Sequence, residues 1–169
     1  MLATYGGAVR NLQAKRAVDP HPSAAWLGGR AQETLMNLKV VLSIAAAYMA
    51  LVGVGMMFVP HQFGVGAVPA DASPALIAFL RIFGGPCVGI AVLNWVARDA
   101  EPSRARNAIV LGNMVGFACV AAMGVWGVFS GGARPIAKLF LVVHLSMTIA
   151  FVLQWRARDR ASALPRTHS

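Results

Sequence analysis

Four stretches of the chain run apolar almost without interruption. Val40 to Val59 is twenty residues with no charge, and Ala108 to Phe129 is twenty-two with none. Ala75 to Ala97 is twenty-three residues with one charge, Arg81, and Ile136 to Trp155 is twenty with only Lys138 near its start. None alternates polar and apolar positions, so barrel strands are excluded. A helix satisfies its own backbone in lipid, and about 20 residues cover a hydrocarbon core of roughly 30 Å. The pattern predicts an all-α fold, an integral membrane four-helix bundle with spans at about 40–59, 75–97, 108–129 and 136–155. A water-soluble bundle would need polar faces on these helices, and they have none of any length. The connections run six to fifteen residues, so neighbouring spans are expected to be antiparallel.

Composition agrees. Of 169 residues 57% are hydrophobic and 12% charged, and mean hydropathy is +0.62. The charge excess is +9, and its distribution carries information. Arg10, Lys15, Arg16, Arg30 and Lys39 precede or open the first span, and Arg98, Arg104 and Arg106 lie between spans two and three. Arg156, Arg158, Arg160 and Arg166 follow the fourth. That places twelve basic residues on one side, against Arg134 and Lys138 on the other. Basic residues stay on the cytoplasmic side of a membrane, so both termini are expected to be cytoplasmic. Because the charges follow topology rather than one surface, nucleic acid is not an expected partner. Trp95 and Trp155 at the inner ends of their spans, and Trp126 near the outer end of its own, sit where interface anchors are favoured.

The chain is expected to divide into a basic polar arm (1–37), a four-helix transmembrane domain (38–158) and a basic tail (159–169). The arm contains Gly6-Gly7, Pro20, Pro22 and Gly28-Gly29, which disfavour regular structure. No apolar h-region follows its start, so a secretory signal is not expected. The arm reads as a tether near anionic headgroups. A weak interfacial helix is a second reading, with Leu2, Tyr5, Val9 and Leu12 on one face. Met36, just ahead of the first apolar run, is also a natural point of initiation.

Polar residues inside the spans are the candidates for chemistry. Arg81 lies six residues into span two, roughly 9 Å from its outer end. At 100° per residue it shares a face with Gly85 and Gly89, a small-xxx-small ridge of the kind that lets helices approach. The expectation is that it points at a neighbouring helix. It can snorkel or cap a carbonyl, bind a lipid headgroup or anionic ligand, or meet another subunit. Asp71, in the preceding loop, is the nearest acid in sequence. Gly84-Gly85-Pro86 is expected to kink span two, and a kink beside an arginine can open a cavity. His144 is expected near the depth of Arg81. It can hydrogen-bond a neighbouring helix, relay a proton, or ligate a haem or pigment metal. Asn113, with Gly116 and Gly124 close to its face, predicts a tight helix seam clasped by an amide, and Asn94 is a similar candidate. Cys87 and Cys119 are single cysteines with no Cys-x-x-Cys, and read as small apolar packers.

Catalytic patterns are missing from the sequence. It has no cluster of metal-ligating side chains, no glycine-rich phosphate loop with its lysine, and no carboxylate inside a span. No cofactor or metal is expected, His144 aside, and no catalytic residue can be assigned. The stretch Leu80-Arg81-Ile82-Phe83-Gly84-Gly85, then Gly89, then Leu93-Asn94-Trp95-Val96-Ala97-Arg98 resembles small four-span bacterial membrane proteins of the DoxX type. The likeness covers about Asn37 to Arg158. It implies a four-helix fold in a bacterial inner membrane and transfers no catalytic residue. The expected function is that of a non-enzymatic accessory or structural subunit, with membrane lipids and other membrane subunits, or further copies, as partners. A small carrier or lipophilic-ligand binder, using a cavity near Arg81 and Pro86, is the second expectation.

Overall fold

A computed structural model describes the backbone of residues 22–63, 68–132 and 135–162, with side chains from 37 to 160 of these. The chain divides into two compact units, Met1–Leu35 and Met36–Ser169. Residues 1–21 lie outside the described part, and with them the amphipathic face read over Leu2 to Leu12. The described residues form five helices, in order α1 Pro22–Phe58, α2 Pro60–Phe63, α3 Pro74–Ala97, α4 Arg104–Phe129 and α5 Pro135–Ser162. No strand occurs among the described residues. Among the described residues four segments are long and apolar enough to cross a membrane: Asn37–Phe58, Pro74–Ala97, Arg104–Phe129 and Pro135–Arg160. At 22 to 26 residues they measure about 33–39 Å, against a hydrocarbon core of roughly 30 Å. The chain is thus a multi-pass membrane protein with a four-helix arrangement.

Helix ends follow local sequence rules. Ser73 and Ser103 are N-caps whose hydroxyls accept from the amides of Leu76 and Arg106, each at 3.2 Å. Pro74 and Pro135 stand at first helical positions, where the missing N–H costs nothing. Gly131, at φ 75°, turns the chain between α4 and α5 in a conformation that disfavours a side chain. One expectation fails at the start of α1. That helix begins at Pro22 and runs through Gly28-Gly29, the pair expected to disfavour regular structure. Each glycine costs a helix only about 1 kcal/mol, which the rest of a 37-residue helix outweighs.

Each central helix buries one narrow stripe. On α3 it is Gly84, Cys87, Ala91, Asn94 and Ala97; on α4 it is Arg106, Val110, Asn113, Phe117 and Ala121. These three- and four-residue spacings are those of helices packed along a seam. Leu38 and Leu42 of α1 and Phe151 of α5 complete the core. The outward faces are apolar too. Ile82 is 75% exposed, Trp126 71% and Phe129 86%. Such surfaces are expected where lipid is the solvent.

The backbones of α1 and α3 approach closely. A Cβ at Gly84 would stand 2.6 Å from the Gly53 carbonyl oxygen; one at Gly53 would stand 2.8 Å from that of Gly84. Phe63 of α2 folds back onto Gly55 and meets the Phe140 ring at 6.4 Å. Gly85, one residue on from Gly84, has open space where its Cβ would be. Gly84→Ala should therefore destabilise the protein by about 1–3 kcal/mol, because backbone must shift. Gly85→Ala should leave stability unchanged or slightly raised. Thermal unfolding of both variants in detergent separates the two glycines.

Candidate functional site

The polar residues inside the spans face one another in two places. Asn94 and Asn113 make a reciprocal amide pair: Asn94 Nδ2 donates to Asn113 Oδ1 at 3.0 Å, and Asn113 Nδ2 donates to Asn94 Oδ1 at 2.6 Å. The second proton of Asn113 Nδ2 goes to the Ile109 carbonyl at 2.8 Å. Both residues are buried, so the clasp of α3 to α4 is closed to solvent and lipid alike.

The second place surrounds His144 on α5. Its Nδ1 lies 2.6 Å from the Phe140 carbonyl oxygen. A carbonyl can only accept, so Nδ1 carries the proton. In the neutral ring Nε2 is then an acceptor, and the Tyr48 hydroxyl of α1 donates to it across a long 3.4 Å. Aromatic rings enclose the imidazole. Tyr48 meets it edge-on at 5.6 Å, Phe117 lies at 5.7 Å, and Phe151 stacks on Phe117 at 5.9 Å. The free nitrogen that would ligate a metal thus faces a tyrosine hydroxyl. No group of three or more His, Cys, Asp or Glu side chains occurs among the described residues.

The remaining candidates are dispersed. Arg81 is exposed on the outer surface of α3, and no ion pair joins it to Asp71, itself exposed, among the described residues. It does not turn toward a helix of this bundle. Gly85, Gly89 and Gly116 are exposed, with open space beyond them. The tight contacts fall instead at Gly53 and Gly84, and at Gly124, where a Cβ would stand 3.1 Å from Leu141 Cδ1. Pro86 is exposed within a helix assigned continuously from Pro74 to Ala97. Trp95 is exposed, with the Arg98 guanidinium 3.1 Å above its ring. Trp126 is exposed, whereas Trp155 is half-buried against the core. Cys87 is buried and Cys119 exposed.

Two residues escape the reading by sequence. Tyr48 gave no signal of its own and gains its role only as the partner of His144. Arg106 counted as a loop charge, yet it is 4% exposed. Nearby, Asp99 binds Lys39 Nζ at 2.6 Å and Arg98 Nε at 2.9 Å. Hydrogen bonds from Lys39 first, then Arg98, hold its carboxyl below the ordinary 3.8. A depressed carboxyl stabilises the fold above that range and loses the contribution as pH falls through its folded value. Lys39 and Asp99 are more than half exposed, so the effect is small and salt-sensitive.

Comparison of the chain with protein-family models, with curated proteins and with solved structures finds no match.

The amide clasp gives a direct test. Either Asn94→Ala or Asn113→Ala alone should cost about 1–2 kcal/mol, since each strands a buried amide. The double variant should cost clearly less than the two together. A double-mutant cycle by thermal unfolding in detergent measures the difference.

Proposed function

We propose that this protein is a non-enzymatic multi-pass subunit of a bacterial inner membrane, with both termini cytoplasmic and neighbouring spans antiparallel. Its role is structural: it packs against other membrane subunits or further copies of itself. The observation that carries the reading is the outer face of α3, where Arg81, Gly85 and Gly89 are exposed together. Glycines facing lipid contribute no packing, whereas glycines facing a helix allow backbones to approach. A guanidinium in an apolar span also gains from a neighbour's carbonyls. The interior polar groups support the same reading, because Asn94, Asn113 and His144 are engaged with each other or with Tyr48. The twelve-to-two division of basic residues supports the orientation, and the short links between α3, α4 and α5 support antiparallel neighbours. The likeness of Leu80 to Arg98 to DoxX-type proteins accords with it.

Gly85→Leu and Gly89→Leu should leave the unfolding temperature of the isolated chain nearly unchanged, yet break its assembly. Native mass spectrometry after mild detergent extraction reads this. The expected result is an assembly larger than one chain in the wild type, reduced to the single chain in the variants. A wild type that travels alone, or variants that assemble as it does, would refute the subunit reading. Reporter fusions at the C-terminus should be active only in their cytoplasmic form.

A further inference from the structure

An exposed acid and an exposed base stand at the first half of α3 and just before it. Asp71 lies three residues ahead of Pro74, and Arg81 seven residues after it, about 10 Å along the helix. Both are exposed, and no ion pair among the described residues includes either. Helical side chains lean toward the N-terminus, which for α3 is the end that joins the link carrying Asp71. The long stem of Arg81 therefore lifts its guanidinium toward the level of that link. The chain has six acids. Asp19, Glu33, Asp99, Glu101 and Asp159 lie in the segments that hold the twelve basic residues, and Asp71 alone lies in a link on the other side. Gly85 and Gly89 are exposed on the face of Arg81, with open space beyond them.

A cation on an apolar helix face gains from a counter-charge at its own depth. Within one chain Asp71 and Arg81 do not meet. A second copy, inserted the same way up, carries an acid at the same level. We propose that two copies pair through α3 about a two-fold axis along the membrane normal, with Asp71 of each copy binding Arg81 of the other. Two-fold symmetry makes the ion pair occur twice and closes the assembly at a dimer. The complementary charges choose the occupant of this face. The open backbone at Gly85 and Gly89 only permits it, by letting the two helices come close enough for the arginine to reach across. The inference rests on the subunit reading given above and names its partner as a further copy of this chain.

Charge reversal tests this on the full chain in a neutral detergent, read by native mass spectrometry. The wild type should travel as a dimer. Asp71→Arg sets like charges at both contacts, and so does Arg81→Asp, so each variant alone should dimerise about tenfold more weakly or worse. Mixed in equal amounts, the two variants should pair with each other, because every reversed charge then faces its opposite on the other copy. Their masses differ, which separates the mixed dimer from either parent. If Arg81→Asp does not insert, thiol cross-linking takes its place. A chain with Asp71→Cys and a chain with Arg81→Cys, both also carrying Cys119→Ser to remove the exposed thiol, should join to each other through a short bifunctional reagent. A wild type that assembles while Asp71→Arg assembles equally well overturns the pairing and leaves the subunit reading standing; a lipid phosphate as the partner of Arg81 gives that result. A loss that mixing does not restore, or the absence of a mixed cross-link, also overturns it. A wild type that travels alone overturns both.

Discussion

Hydrocarbon neither donates nor accepts a hydrogen bond, and it is as apolar as leucine. Both facts shape this protein. Backbone groups must be satisfied inside each helix, which fixes four long helices. Apolar side chains gain little by leaving lipid for the interior, so burial of large residues cannot by itself hold the helices together. What remains is close packing and polar contact between helices. The structure uses each at separate points: the glycines Gly53 and Gly84 where α1 crosses α3, and the Asn94–Asn113 clasp where α3 meets α4. The His144–Tyr48 contact, with the rings around it, joins α5 to α1.

The same solvent decides what a reader of the sequence can see. The spans are legible because uncharged runs of this length have few other uses. The faces of the helices are not. A helix in water shows its buried side as an apolar stripe against polar residues, but here both sides are apolar and the stripe vanishes. Gly84 and Gly85 are neighbours in sequence and stand 100° apart on the helix. Nothing in the local pattern says which of them meets α1, and the ridge through Gly85 and Gly89 is the more regular. Asn94 and Asn113 are easier to find because an amide in a span must have a partner. Their reciprocal pairing depends on the register of two helices, which the sequence does not contain. Tyr48 is harder still, being one aromatic residue among many apolar ones until His144 is placed opposite it.

The two arginines that matter most are judged differently by sequence and by structure. Hydropathy singles out Arg81 because it interrupts an apolar run, and treats Arg106 as one of several loop charges. In the fold, Arg81 is exposed on an outer face and has a long, flexible stem with which to reach the interface. Arg106, in the first turn of α4, is buried at 4% exposure. The cost of a charge depends on what surrounds it rather than on its distance from the end of a span. A guanidinium at the rim of a bundle is more confined than one deeper along a helix when neighbouring helices close over it.

That inversion also explains why the basic end of this protein is more than a topology signal. An exposed cation such as Arg104, at the start of α4, can extend into polar surroundings. Arg106 instead lies on the buried stripe of α4, one turn before Val110 and two before Asn113. The stripe that runs through the amide clasp to Phe117 therefore ends on a fixed positive charge.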